Sequence, residues 1–396
     1  MMDYYQALDA LAQALPPLAD SETLPLAAAT GRVLAEPLSA RLDTPAFDNS
    51  AMDGYALADP AGTLTRFALV GRTAAGDTPA AALQAGEALR IFTGAPLPPG
   101  ATAVVPQEYA RLEGGQLQLE APLPVGRNIR RQAEEFAAGA ALLAAGSRLG
   151  PAAIALAASQ GYVALPVRRR LRVAVFSSGN ELCEPGDALA QGKIYDANRY
   201  QLLAWLAAWP VEVVDGGILP DSLAETRARL AEVADGVDVI LTSGGASVGE
   251  EDHLKAALCA IGQLDAWKLA IKPGKPFAWG RAGAAHVFML PGNPVATFVT
   301  FHLLVAPALR CLSGVSPARP ASLRVRAAFA RAGGEARREF LRARLGIGAD
   351  GLPEATPLFG QGSAMLSACA EADCLLEVPP ATAVAVGDWL TAFPLA

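Results

Sequence analysis

The sequence predicts a multidomain α/β plus β protein, with one doubly wound α/β domain flanked by β-rich segments. Three observations carry that expectation. Between 171 and 312, short β-branched runs alternate with helical stretches, the pattern of a parallel sheet with crossover helices. From 58 to 136, and again from 321 to 396, short strands are broken by Gly and Pro, which reads as small β-rich domains. The length of 396 residues also exceeds the size at which a single core stops growing.

In chain order, Tyr4, Leu8, Leu11 and Leu15 form a helical stripe over 3–15 that Pro16-Pro17 stops. A second helix is expected over 25–34. AFDNSAMDGYAL, residues 46–57, sets the turn residues Asp48-Asn49-Ser50 and Asp53-Gly54 before a strand. Strands follow at 66–70, 87–92, 103–106 and 116–119, with Gly114-Gly115 as a hairpin turn. A helix begins at Pro151 and ends at Gly161, the residues favoured at those two positions.

The α/β segment reads as strand 171–176, helix 197–209 capped by Asp196 and stopped by Pro210, and strand 211–214. A capping box, Ser222-x-x-Glu225, opens the next helix, which runs to Val233. Strand 237–242, helix 252–261, strands near 266–271 and 276–279, strand 286–290 and helix 294–312 complete it. Pro317 and Pro320 read as a linker into a small all-β domain of barrel type, 321–396.

Composition narrows the function class. With 52% hydrophobic and 18% charged residues the chain is a packed globular protein. A net charge of −7 disfavours nucleic acid as the main partner. The five cysteines form no CxxC and read as buried free thiols rather than a disulfide framework or zinc site. The N-terminus lacks the basic and apolar regions of a signal peptide. No stretch of 18 residues is continuously apolar and uncharged; His302 and Arg310 interrupt the best candidate, 294–312. A cytoplasmic protein without a membrane partner is expected.

Candidate chemistry gathers where strands end. Ser177-Ser178-Gly179-Asn180-Glu181, Asp221, Thr242-Ser243-Gly244-Gly245 and Pro291-Gly292-Asn293-Pro294 each follow a strand, at the edge where α/β sheets bind ligands. The glycines of the third turn bring backbone N–H groups close to whatever lies above them. No GxGxxG and no GxxxxGK[ST] occurs, so dinucleotide and P-loop readings lack support. The most specific segment is Lys272-Pro273-Gly274-Lys275-Pro276, preceded by Lys268. Two prolines and a glycine fix its backbone, and two lysines suit a tetrahedral oxyanion or phosphate. Glu181 and Asp252 are the carboxylates best placed for a metal or for acid–base work. Each is equally a helix N-cap or a surface charge, and so is Asp221. His302 reads as packing; His253 abuts Asp252.

Seven motifs then occur in order: PAFDNSAMDGYA, TGAPLPPGA, NIRRQAEE, FSSGNEL, TSGGASVGEED, KLAIKPGKPFAWG and LPGNPV. Together they resemble the molybdopterin molybdenumtransferase family, the MoeA proteins of molybdenum cofactor biosynthesis, whose eukaryotic relatives include the E domains of gephyrin and of the plant Cnx proteins. The resemblance implies an elongated homodimer of four-domain subunits. In this chain 1–45 with 137–170 would be an elongated linking and dimerisation domain, 46–136 a β-rich domain serving the partner's active site, 171–317 the molybdopterin-binding-like α/β domain, and 318–396 the C-terminal β-barrel-like domain. It implies insertion of molybdenum from molybdate into adenylylated molybdopterin, with Mg²⁺-dependent cleavage of the adenylate and release of AMP. Implied partners are the molybdopterin adenylyltransferase and acceptor molybdoenzymes.

Carried over motif by motif, Asp53, Thr93 and Glu135 would come from the β-rich domain, and Glu181, Asp221, Asp252, Lys268 and Lys272 from the α/β domain. Glu181, Asp221 and Asp252 would hold Mg²⁺. Ser243, Gly244, Gly245, Lys272, Lys275 and Pro276 would bind substrate and molybdate, with Arg342 in FLRA and Ser363 in QGSA completing the site. The chain departs from the family at Ala133-Glu134-Glu135 (Gly-Glu-Asp in many members), Asn180 (often Asp), His253 (often Tyr) and Ala296 (often Ser). Two alternatives stand beside this reading: the sister activity, adenylylation of molybdopterin by ATP, and a non-catalytic scaffold.

Overall fold

A computed structural model describes the chain except residues 19, 79–80, 246–252, 317–318 and 396, and describes 265–267 by backbone alone. The chain divides into two units. Met1–Ala35, Gly146–Leu149 and Leu165–Ala396 form the first, Glu36–Ala145 and Gly150–Ala164 the second.

The first unit contains the α/β sheet. Along β1 (Leu171–Ser178), Val173 and Val175 bury into one apolar cluster and Ala174 and Phe176 into another. A strand whose two faces are both buried needs cover on both sides of the sheet, and a near-continuous apolar run supplies it. The remaining strands are β2 (Val211–Leu219), β3 (Val239–Ser243), β4 (Gly262–Lys268), β5 (Ile271–Lys272), β6 (Pro276–Ala282) and β7 (Ala285–Leu290). The sheet order is β2-β1-β3-β7-β6-β4. The first four are parallel, while β6 runs antiparallel to both β7 and β4.

Helix α1 (Tyr4–Ala14) lays Tyr4, Leu8 and Leu11 into the first cluster. It is opened by Asp3, whose carboxylate accepts from Tyr5 N at 2.9 Å while Gln6 reaches back to Asp3 N. Leu202 and Leu206 of α2 (Asn198–Ala207) join the same cluster; α3 (Leu223–Ala234) and α4 (His253–Ile261) cover the other face. Ser222 caps α3 by accepting from Glu225 N at 3.5 Å. The segment Pro294–Ser313 is helical throughout, with a π turn at Phe301–Val305. By length and composition it is apolar enough to cross a membrane, but 83% of its most apolar window is buried inside the protein, so it serves as a core helix.

The C-terminal strands β8 (Leu323–Ala327), β9 (Arg338–Ile347), β10 (Pro353–Pro357), β11 (Cys374–Val378) and β12 (Trp389–Pro394) close a five-stranded barrel, since β9 pairs with both β10 and β11. The two-residue β5 pairs with β9, Lys272 opposite Glu339. The barrel therefore fixes the segment that leads from β4 to β6.

The second unit holds a six-stranded sheet in the order Ala103–Pro106, Gly54–Leu57, Glu87–Ile91, Arg66–Thr73, Gln116–Leu119, Ala110–Glu113. Its helix, Pro151–Ser159, starts at the expected proline.

Several expectations need correction. The helix expected over 25–34 is only Leu26–Ala29, because Ser21–Pro25 is a strand paired with Ala164–Arg168 and Gly31 turns the chain at φ 78°. The strand expected near 266–271 starts at Gly262, directly after α4, and Ile271–Lys272 belongs to the barrel. The strand expected at 211–214 continues to Leu219 through a register shift beside β1. Tertiary pairing overrides local pattern in each case.

Candidate functional site

The registers of β1, β3 and β7 are matched, Ser177 opposite Ser243 and Ser243 opposite Leu290, so their carboxyl ends lie level. Above them opens a cavity of about 890 Å³. Its floor is the turns after those strands, one wall is Lys272–Pro276, and the barrel contributes Arg337 and Gln361–Ala364. Gly244 shapes the floor. Its φ is 97°, and a Cβ there would stand 2.5 Å from the Ser178 carbonyl oxygen, so no other residue fits. Its own N–H is not available to a ligand, because it donates to Leu290 O at 3.1 Å.

The basic wall has two unequal lysines. Lys272 Nζ lies 2.9 Å from Glu335 and 3.3 Å from Glu339. The hydrogen bond it donates to Glu335 is the main reason its pKa is raised. Arg337 also pairs with Glu335, at 3.1 Å. Bonds from Arg337 and then Lys272 hold the Glu335 carboxyl down to about 2. Lys275 lines the same cavity, is exposed, and has no ion pair among the described residues.

Glu181 lines the same cavity, exposed, its carboxylate folded back over Gly179, where a Cβ would meet Oε2 at 2.3 Å. Asp221 does not line the cavity but is tied to the same turn. Asn180 N donates to its carboxylate at 2.9 Å, and Asp221 N donates to Asn180 Oδ1 at 3.2 Å.

The remaining expected residues fall in different places. Ser243, Gly245, Pro276 and Ser363 line the cavity with Gly244. Lys268 ends β4, exposed, outside the cavity lining. Asp252 lies outside the described residues. Arg342 is buried at 1% exposure and donates to the carbonyls of Phe340 and Gly360 at 3.3 and 3.2 Å. Its burial lowers its pKa, its Nε has no partner among the described residues, and it borders a second cavity of 340 Å³. It holds the loop that carries Ser363 rather than lining the main cavity.

In the second unit, Asp53 accepts from Thr93 N at 2.8 Å and from Thr93 Oγ1 at 2.9 Å. The backbone bond is the larger cause of its lowered pKa. Glu135 is exposed; the carboxylate beside it, Glu134, is occupied with Arg131 N at 2.8 Å.

Sequence reasoning missed three neighbours at the start of α2. Asp196 was expected only as a helix cap. Its carboxylate does accept from Arg199 N at 3.1 Å, but Ala197 holds the cap position, and the same group accepts from Ser177 Oγ at 2.9 Å. Arg199, 3% exposed, bonds Asp196 at 3.0 Å, Asp215 at 2.5 and 2.6 Å, and Glu184 at 2.5 Å. Burial would lower its pKa, but the carboxylates, Asp215 foremost, outweigh that and raise it. Asn198 donates to Ser243 Oγ and to Gly292 O, both at 2.7 Å. The one signal was an arginine inside an apolar helix, which requires buried partners.

No group of three or more His, Cys, Asp or Glu side chains converges as a cation site among the described residues. Glu181 and Asp221 flank one turn and keep carboxylate oxygens that accept no hydrogen bond among the described residues. Such a pair fits Mg²⁺, which takes one or two carboxylates, several waters and substrate phosphates.

Three family profiles match the chain: the MoeA N-terminal region (domain I and II) at 2–161, a probable molybdopterin binding domain at 174–311, and the MoeA C-terminal region (domain IV) at 324–395. The molybdopterin molybdenumtransferase of Haemophilus influenzae is 37% identical over 400 residues, covering 100% of this chain and 98% of that protein. That of Staphylococcus aureus is 30% identical, covering 90% of this chain and 87% of that one. A crystal structure of the molybdopterin biosynthesis MoeA protein from Pyrococcus horikoshii is similar throughout, with TM-score 0.85 and 26% identity, covering 100% of both chains.

Proposed function

We propose that this chain, which belongs to the molybdopterin molybdenumtransferase family, inserts molybdenum into molybdopterin during molybdenum cofactor biosynthesis. Among the geometric features, the cavity supports this most. Its lining includes Lys272, Lys275, Arg337 and Glu181, above the ends of the parallel strands β1, β3 and β7, an arrangement suited to one anion held beside another.

In finer detail, the substrates are adenylylated molybdopterin and molybdate. Lys272 and Lys275 hold the oxyanions, offsetting their mutual repulsion, while Ser243–Gly245 and Ser363 border the bound substrate. Glu181 and Asp221, with Asp252, would hold Mg²⁺, which would supply polarisation of the phosphoanhydride that water cleaves to AMP and the pterin phosphate. The dithiolene sulfurs belong to the substrate, so no protein cysteine is needed as a molybdenum ligand. Asp53, Thr93 and Glu135 contribute to the reaction within a homodimer. The protein works in the cytoplasm, between the adenylyltransferase that supplies its substrate and the molybdoenzymes that accept its product.

The test is a coupled reaction of purified protein with adenylylated molybdopterin, Mg²⁺ and molybdate. Molybdate-dependent AMP release, together with activation of a molybdenum-free acceptor enzyme, is the expected result. Binding without AMP release would make the protein a carrier. Consumption of ATP without any need for molybdate would make it the adenylyltransferase.

A further inference from the structure

The start of α2 braces the whole cavity floor. Asp196 holds Ser177 at the end of β1. Arg199 holds Asp215 in β2, and Glu184 just beyond the Glu181 turn. Asn198 reaches the other two strand ends, bonding Ser243 of β3 and Gly292 after β7. Three neighbouring side chains thus bond to four parallel strands or the turns after them, three at the carboxyl edge and one, through Asp215, within β2.

Asn198 differs from the other two because its bonding capacity is not exhausted. Both N–H groups of its amide are used, one on the Ser243 hydroxyl and one on the Gly292 carbonyl. The second bond fixes which way the amide faces, since a carbonyl can only accept and a reversed amide would set two oxygens against each other. Ser243 passes its own proton to Pro291 O at 3.4 Å, which leaves its lone pairs for Asn198. Asn198 Oδ1 accepts no hydrogen bond among the described residues, and the residue lines the cavity.

We infer that Asn198 is a substrate-binding residue whose Oδ1 accepts a hydrogen bond from the exocyclic amino group of the pterin ring. The inference rests on reading this cavity as the pterin-binding site. Lys272, Lys275 and Arg337 offer only donors and positive charge, which suit phosphate and molybdate. An amino group needs an acceptor instead. An acceptor already held by two bonds gives up little conformational freedom when the ligand arrives.

The test compares the binding of pterin and of lumazine, which carries a carbonyl where pterin carries the amino group, with molybdate as a third probe. Wild-type protein should prefer pterin by about ten-fold, the factor expected when one hydrogen bond is replaced by an acceptor facing an acceptor. In Asn198→Ala, and in Asn198→Ser, which keeps a small polar residue at the helix start, that preference should collapse to about two-fold or less. Molybdate affinity should stay within about two-fold of wild type, while the thermal midpoint should fall by a few degrees because two hydrogen bonds of the floor are lost. Retention of the full preference in both variants would overturn the role of Asn198 alone. So would a parallel loss of pterin, lumazine and molybdate binding, which marks a structural defect. Wild-type protein that binds no pterin would overturn both this inference and the pterin-site reading.

Discussion

The two flanks of the cavity are built in opposite ways. On the basic flank the functional charge itself is tied down, because Lys272 is held between Glu335 and Glu339 of the barrel segment. On the acidic flank the surroundings are tied down and the charge is left open. Arg199 grips Glu184, and Asp221 grips Asn180, while Glu181 between them folds back over Gly179, exposed and without an ion pair among the described residues. A pinned cation arrives oriented but partly neutralised. An unpinned carboxylate keeps its full charge for a cation that comes with the substrate. Lys275, three positions from Lys272, is the exception on its own flank, because it has no ion pair among the described residues.

The largest effect is therefore expected at Lys275. Lys275→Ala should lower molybdate-dependent AMP release by about 100-fold, the scale of losing one preorganised electrostatic contact. A loss smaller than three-fold would show that the pinned Lys272 carries the flank. Next comes the brace. Arg199→Met leaves Asp196 buried against its neighbours without a cation and should destabilise the fold by about 3 kcal/mol in urea unfolding; an unchanged midpoint would mean that the acidic flank stands without it. A smaller change is expected for Glu335→Gln, which releases Lys272 from one carboxylate. Molybdate should then bind about three-fold tighter in direct titration, a modest gain because the pair is partly solvent-exposed and Glu339 still holds the ammonium. Weaker binding would show that orientation of Lys272 outweighs its charge.

The smallest effect is a pH dependence. The folded Glu335 carboxyl sits at about 2, below its unfolded value of about 4.3. A group lowered on folding adds stability that is fully present above the unfolded value and is lost as pH falls towards the folded one. The stability difference between wild type and Glu335→Gln should therefore shrink between those two values. A difference that grows on acidification would contradict the pairing.

Much of the fold was legible because it is local. The stripe Tyr4-Leu8-Leu11, the Pro151 helix start and the Gly114-Gly115 hairpin all follow from spacing and turn chemistry within a few residues. The 25–34 helix failed because Ser21–Pro25 pairs with Ala164–Arg168, some 140 positions away in sequence, beyond any local window. The site divides in the same manner. The turns after β1, β3 and β7 were visible as Gly, Ser and Pro clusters after apolar runs, and the structure brings Glu181, Ser243, Gly244, Gly245, Lys272, Lys275, Pro276 and Ser363 around one cavity. Lys268, Asp221 and Arg342 lie off its lining. Asn198 went unnoticed because a lone asparagine at a helix start is ordinary, and its importance lies wholly in what it touches.

By itself, then, the sequence determined the alternation of strand and helix, the turns at the strand ends and, through seven ordered motifs, the family. Those features depend on backbone preference and on hydrophobic period, which neighbouring residues settle among themselves. Only the tertiary structure decided which charges are spent and which are free. Lys272 meets Glu335 and Glu339 more than sixty positions downstream, Arg199 meets Asp215 across two elements, and Arg342 turns inward to backbone carbonyls. Such pairings are set by strand register and side-chain reach. A carboxylate or guanidinium looks the same in sequence whether it waits for substrate or is already bound within the fold.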